Sequence, residues 1–311
     1  MAPVRHAPEV SVVMSVYNGA AHLAETLESV LGQNNCDFEL IVVNDGSTDA
    51  TGAILEHHAI ADARLRVLQQ PNSGLTLALA RGCAEARGEF IARQDAGDIS
   101  LPGRLTEQRH FLSVHPDAVM VACAVQFSGP SRELLYRIAK PLLELDRGLQ
   151  HLDIDRLGGP PHHGGTMFRR DAYLRAGGYR LPFVVAQDID LWLRLAEQGR
   201  CLGMPELLYE ARLEAASISS RRREEQFRLG SLAIACAAQR RQGSDERALL
   251  EGFVPSQSQN GPAGRRERAR FNYFIASCLR KNDRVGARRY YRLALRDNPF
   301  HFKALLRCMT G

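Results

Sequence analysis

The sequence predicts an α/β fold with a mostly parallel sheet flanked by helices, followed by an α-helical C-terminal region. Three observations carry this. Short β-branched apolar runs alternate with helical patterns of about a dozen residues over the first hundred positions, as a sheet covered on both faces requires. The most heavily functionalised turns all follow the carboxyl ends of those runs, where open α/β sheets bind ligands. Beyond Ser217 the pattern turns almost wholly helical and strongly basic.

Taken in order, Val10–Val16 (VSVVMSV) reads as a strand ended by the turn Tyr17-Asn18-Gly19. Ala20–Leu31 places Leu23, Leu27, Val30 and Leu31 on one helical face. Phe38–Val43 is a second strand, and Asn44-Asp45-Gly46-Ser47 its turn. Thr48 or Asp49 is expected to cap the next helix, whose apolar side holds Ile54, Leu55 and Ala59. Arg64–Gln69 reads as a strand, Leu75–Ala86 as a helix and Glu89–Ala92 as a strand. A helix is expected from Leu101 to Val114, a strand at Ala118–Phe127, and a loop at Leu152–Pro161. A short strand at Thr166–Phe168, a helix at Arg170–Ala176 and another at Asp188–Gln198 follow. Breaks in the helical tail fall at Gln242–Asp245 and in the polar linker Pro255–Gly264.

Composition removes several classes. Hydrophobic content of 45% and charged content of 24% are globular values. No apolar stretch approaches the roughly 18 residues that span a bilayer, and Met1–Glu9 lacks the apolar core of a secretory signal. Seven cysteines lie scattered without a CxxC pair, which suits reduced thiols in a cytoplasmic protein. The G-x-G-x-x-G fingerprint and the G-x-x-x-x-G-K-[ST] loop are both absent, so dinucleotide and P-loop readings lose their support. The net charge of +5 is uneven. Residues 221–311 hold 20 Lys+Arg against 8 Asp+Glu, and nearly all of that basic charge is arginine.

The candidate site residues each have a plain structural role beside the chemical one. Asp45 can accept hydrogen bonds from a nucleobase or ribose, or serve as an ordinary turn residue. Asp95 and Asp98 could share a divalent cation that bridges phosphates, or cap the helix that follows. Asp188 and Asp190 complement a helix dipole, yet a carboxylate near Trp192 could act as a base if burial raises its pKa. His162-His163-Gly164-Gly165 is read as a loop touching substrate in preference to a metal site, since no H-E-x-x-H pattern accompanies it.

Together these stretches resemble the family 2 glycosyltransferases with a GT-A fold. VSVVMSVYNGAAHLAETLESVLGQ (Val10–Gln33) is similar to that family's opening strand and helix, and VVNDGSTDAT (Val42–Thr51) to its nucleotide-binding turn. PNSGLTLALARG, ARGEFIARQDAGDISLPGRL, HHGGTMFRR, GGYR, AQDIDLWLRLAEQG and LYEARLEAASIS follow in the family's order, so that the resemblance covers about residues 8–220. It implies inverting, metal-dependent transfer of a sugar from a UDP-, GDP- or dTDP-linked donor to an acceptor hydroxyl on a glycan or lipid-linked molecule, in polysaccharide or glycoconjugate biosynthesis. By motif, Tyr17 would stack on the base with the Ser15 and Val16 backbone beside it, and Asp45 would bind base or ribose. Asp95 and Asp98 would hold Mn²⁺ or Mg²⁺ and the diphosphate, Asp188 would be the general base, and His163 and Trp192 would contact the acceptor. The chain departs from the family pattern at Gly97, where a metal-binding carboxylate is usual and Asp98 is expected to substitute. It also has Glu214 in place of a frequent histidine and Ser15 in place of a common proline.

A GT-A domain is therefore expected over 1–219 and a basic helical extension over 220–311. Ala287, Tyr291, Ala294 and Pro299, with Phe271, Phe274 and Ile275 before them, have the spacing of one degenerate tetratricopeptide repeat over about 268–304. Arg221-Arg222-Arg223, Arg265-Arg266, Arg268 and Arg270 are either a solvated helical surface or a surface for anionic lipid at the inner face of the membrane. Nucleic acid is not an expected partner, because no binding motif accompanies the charge. Rival readings are a nucleotide-sugar-binding protein with weakened catalysis, an interaction protein working through the tail, and a nucleotidyltransferase.

Overall fold

The structure is a computed structural model describing residues 7–215, 222–252 and 264–310. Arg221, the expected 219/220 boundary and residues 255–263 of the expected linker lie outside the described residues.

The apolar runs form β1 (Val10–Val16), β2 (Phe38–Asp45), β3 (Leu65–Gln70) and β4 (Phe90–Asp95). Helices α1 (Leu23–Leu31), α2 (Thr51–Ala61) and α3 (Leu75–Ala84) connect them. All three pairings β3-β2, β2-β1 and β1-β4 are parallel, because each crossover carries a helix. Every residue of β1 and β2 is buried, as their unbroken apolar runs require. Leu23, Leu27 and Val30 of α1 are buried as the periodicity demands, each such side chain contributing about 1.5–3 kcal/mol.

The capping expectation for α2 is corrected. Its N-cap is Ala50, with no side-chain cap bond. Asp49 instead accepts from Thr51 N at 3.0 Å and from Ala20 N at 3.2 Å, so it ties two loops together.

After β4 come β5 (Ile99–Ser100), α4 (Arg104–Val114), β6 (Ala118–Ser128), β7 (Leu134–Ile138) and α5 (Glu144–Leu149). Then follow β8 (Thr166–Arg169), α6 (Arg170–Arg175), α7 (Gln187–Leu195) and β9 (Arg200–Arg212). The sheet order is β3-β2-β1-β4-β8-β6-β9-β5, with β7 paired to β6. Strand β8 runs antiparallel to both β4 and β6, and β5 antiparallel to β9, so the sheet is mixed beyond its parallel half. Strand β9 is not legible in sequence: Pro205 interrupts it, and a proline demotes a run that would otherwise read as a strand.

The described residues cluster into two compact units. The first draws on Met1–Val125, Ile138–Glu210 and Glu225–Pro255; the second draws on Gln126–Arg137, Ala211–Glu224 and Ser256–Gly311. In the first, α8 (Arg223–Arg241) is followed by the short α9 (Arg247–Glu251). Leu229, Ala233, Ile234 and Ala237 of α8 pack with Phe183, Val185 and Leu193. In the second, α10 (Arg265–Leu279) and α11 (Arg284–Asp297) share a core of Ile275, Ala276, Leu279, Ala287, Tyr290, Tyr291 and Ala294. Phe274, expected in that core, is exposed on α10. The last helix, α12 (Phe302–Thr310), adds the buried Ala304. Among the described residues no helix is long and apolar enough to cross a membrane.

Candidate active site

The site begins where the parallel strands end. The register sets Ser15 beside Val43 of β2 and Asp95 of β4, and Val16 beside Asn44. Tyr17, the next residue, is 54% exposed at the same edge. Asn18 adopts a left-handed φ of 51° and locks the turn to its neighbour. Its amide donates to Ser47 Oγ at 2.9 Å, and its side-chain oxygen accepts from Thr48 N at 2.8 Å. Gly19 N donates to Thr51 Oγ1 at 3.0 Å. Gly46 has a positive φ of 76°, and a Cβ there would lie 2.5 Å from Asn72 N, so only glycine lets the two loops meet.

Asp45 is 2% exposed. Its carboxylate accepts from Gln70 Nε2 at 2.7 Å, Ser73 N at 2.8 Å and Gly74 N at 2.9 Å. These bonds build the loop between β3 and α3, so Asp45 has the structural work of a turn residue in this structure. Across β1, Asp95 stands level with Val43, two strand spacings or roughly 10 Å away, and Asp45 lies two residues further along β2.

A denser group forms at the end of β4. Asp95 Oδ1 pairs with Arg93, a fully buried arginine that also donates to Val13 O at 3.0 Å. Burial would raise the Asp95 carboxyl, but the charge of the Arg93 guanidinium outweighs it, and the pKa is held at about 2. Asp98 is buried and accepts from the Tyr209 hydroxyl at 3.0 Å, while that hydroxyl accepts from Asp95 N at 3.1 Å. One phenol thus fixes both acids, delivered by β9 through the pairing of Tyr209 with Ser100. His162 places Nδ1 3.7 Å from a carboxylate oxygen of each acid and stacks on the Tyr209 ring at 5.6 Å. Its Nδ1 accepts from Gly164 N at 3.1 Å, which puts the ring proton on Nε2.

Asp95, Asp98 and His162 each offer a ligand atom, all within 4.8 Å of one another. The two carboxylates suit Mg²⁺ or Mn²⁺, and His162 would add a nitrogen ligand once its Nδ1 lone pair is released from Gly164 N. Gly97 has a φ of 99°, a conformation that a residue bearing a carboxylate would adopt only under strain, although its Cβ would meet no atom within 4 Å.

Arg104, also fully buried, holds this group in place. It donates to Gly164 O at 2.6 Å, Ser100 Oγ at 2.8 Å and Gln94 Oε1 at 2.9 Å, bonds Arg93 O, and lies 4.8 Å over the Tyr209 ring. Gly164 is required, since a Cβ there would sit 2.0 Å from the Tyr209 hydroxyl.

The third acid comes from α7, whose N-cap Ala186 has a left-handed φ of 56°. A non-glycine residue held there stores backbone strain of the kind found at functional sites. Asp188 is half-buried. Burial raises its pKa; Asp95's negative charge adds to this, while the bond from Ile189 N at 2.9 Å and the His162 ring oppose it. Asp188, Asp95 and His162 therefore lie within electrostatic reach. Asp190, two residues on, does different work: it is buried between Arg180 and Arg194.

His163 and Trp192, expected to touch the acceptor, are both buried and pack edge to face at 5.9 Å. His163 Nε2 lies 2.8 Å from the Tyr179 hydroxyl, and burial with the Arg93 charge holds its pKa well below the ordinary value. They back the site, and the loop's group facing the acids is His162. Sequence reasoning also missed Arg93, Arg104 and Tyr209, because arginine and tyrosine seldom signal full burial.

Residues 11–176 match the Glycosyl transferase family 2. The chain belongs to that family. EpsE of Bacillus subtilis (strain 168), named as a glycosyltransferase, is 34% identical over 223 residues, 69% of this chain and 76% of that protein. The amylovoran biosynthesis glycosyltransferase AmsE of Erwinia amylovora is 30% identical over 217 residues, 68% of this chain and 79% of its own. Among solved structures, a mannosyltransferase of Pyrobaculum calidifontis in complex with GDP-Man and Mn²⁺ shares the fold. Its TM-score is 0.55 at 17% identity, over 97% of this chain and 79% of that one. For this family 2 glycosyltransferase, the matched residues include Asp45, Asp95, Asp98 and His162, whereas Asp188 lies beyond them.

Proposed function

We propose that the chain transfers a sugar from a nucleotide-diphosphate donor to an acceptor hydroxyl with inversion at the anomeric carbon. The observation that supports this is Asp188, a carboxyl on α7 whose pKa is raised by burial, within electrostatic reach of Asp95 and His162 in the Asp95–Asp98–His162 group at the end of β4. Tyr17 and the Ser15–Val16 backbone receive the base, and Asp45 shapes the loop around base or ribose. Asp95, Asp98 and His162 would hold Mn²⁺ or Mg²⁺. A divalent ion bound there supplies positive charge against the diphosphate leaving group. Asp188 takes the proton of the acceptor hydroxyl as its oxygen bonds to the anomeric carbon and the bond to the diphosphate breaks. Displacement from the opposite face inverts that carbon, and the proton remains on Asp188.

The name of AmsE, together with the basic C-terminal region, favours a glycan or lipid-linked acceptor in polysaccharide biosynthesis, used by a cytoplasmic protein at an anionic membrane surface. The division at 219/220 and the single tetratricopeptide-like repeat at about 268–304 belong to the same proposal.

Incubation with UDP-, GDP- and dTDP-sugars, with and without Mn²⁺, tests the reading. It expects release of the nucleoside diphosphate and a product of inverted anomeric configuration by NMR. Retained configuration overturns the single displacement, released pyrophosphate points to nucleotidyl transfer, and binding without turnover leaves only a nucleotide-sugar-binding protein.

A further inference from the structure

The second unit carries a feature that the transfer reaction does not use. Residues 264–310 hold 13 Lys+Arg against 3 Asp+Glu. Inside the unit Asp297 pairs with Arg268, and Asp283 caps α11 by accepting from Gly286 N at 2.8 Å. Twelve of the basic side chains are exposed, Lys303 and Arg307 among them. Net positive charge of this density on so short a stretch favours an anionic surface as its partner.

Apolar side chains stand among these charges. Phe300 is 80% exposed and Phe302 77% exposed, with Leu305 and Leu306 also exposed on α12. Phe302, Leu305 and Leu306 have the i, i+3, i+4 spacing of one helical stripe, and Ala304 points the other way into the unit's core. Lys303 and Arg307, four apart, form a basic stripe beside the apolar one. A helix with an apolar stripe flanked by cations matches the chemistry of the headgroup–acyl boundary of an anionic bilayer, where phenylalanines enter and arginines meet lipid phosphates.

We propose that α12, with Phe300 before it, is an interfacial membrane-docking helix that inserts Phe300, Phe302 and Leu306 into the surface of an anionic bilayer. The inference deepens the membrane-surface part of the proposed function and rests on it. Lys303 and Arg307 supply the adjacent charge, and the remaining exposed arginines of α10 and α11 supply long-range attraction. None of these side chains is buried, so their replacement leaves the unit's core intact.

Sedimentation of the full chain with vesicles of phosphatidylglycerol or of phosphatidylcholine tests both levels separately. The wild type is expected to bind the anionic vesicles, to ignore the zwitterionic ones, and to release as salt is raised. The F300S/F302S variant is expected to bind at least about tenfold more weakly, with unchanged circular dichroism and unchanged donor hydrolysis. The Lys303→Glu/Arg307→Glu variant should lose binding comparably. Wild-type protein that binds neither vesicle overturns the membrane reading and the helix with it. Equal binding by wild type and F300S/F302S overturns insertion alone and leaves an electrostatic surface. If the wild type is a dimer that binds no vesicle and F300S/F302S is a monomer, the apolar stripe is a contact between copies.

Discussion

The two edges of the parallel sheet use carboxylates in opposite ways. At the amino edge, Glu39 of β2 is buried and fully engaged. Arg87 donates through Nε at 3.0 Å and Nη2 at 2.7 Å, Arg66 at 2.9 Å and Ser11 Oγ at 2.8 Å. Burial alone would raise its carboxyl, yet these partners bring it below the ordinary value. At the carboxyl edge, Asp188 is raised by burial and by the nearby charge of Asp95. One edge commits its acids to holding the fold, and the other keeps one acid ready to take a proton. The same contrast recurs over two residues of α7, where Asp190 is matched by two arginines and Asp188, among the described residues, by none.

Perturbing each edge should separate activity from stability. The largest effect is expected from Asp188→Asn, which should lower kcat by roughly 10³-fold while leaving donor affinity unchanged by calorimetry. A folded-state pKa raised above the unfolded one stabilises most at low pH and loses that contribution as pH rises through it. Removing the ionisation should therefore raise Tm at neutral pH, and a lower Tm would show Asp188 to be structural. In the wild type, the acid limb of kcat/KM should fall at a pH above the ordinary aspartate value.

Asp190→Ala comes next. Leaving Arg180 and Arg194 unmatched should cost about 3–5 kcal/mol in denaturant unfolding, with activity per folded molecule reduced far less than in Asp188→Asn. Glu39→Gln should cost about 1–3 kcal/mol and leave kcat unchanged. Since Glu39 is depressed in the folded protein, its contribution is present above the ordinary glutamate pKa and fades as pH drops below it. Stability of Glu39→Gln should therefore depend less on acidification than that of wild type. The smallest change is Tyr209→Phe, which keeps the ring against His162 and Arg104 but removes the hydroxyl between the two acids. About tenfold weaker Mn²⁺ binding is expected by calorimetry, with Tm little altered.

The same contrasts separate what a sequence can show from what it hides. The parallel strands are legible because β1 and β2 are unbroken apolar runs, and the site's edge because turns at Tyr17, Asp45 and Asp95 follow such runs. The division of labour between Asp188 and Asp190 is not, since both fit an acidic first helical turn. It depends on Arg180, ten residues before Asp190, and on Arg194 one turn along. Asp45 likewise looks identical as a turn former and as a ligand group until its bonds to Gln70, Ser73 and Gly74 are seen. The sequence sets Trp192 and His163 against the acceptor, whereas packing buries both and turns them edge to face.

Arg104 carries a practical consequence. Its guanidinium joins main-chain carbonyls at positions 93 and 164 with the side chains of Gln94 and Ser100. Anyone splicing segments between homologous enzymes to change sugar preference should keep 93–104, 164–165 and Tyr209 from a single parent. A crossover that separates them would strand a buried cation, and the chimera would fail in expression before its selectivity could be measured.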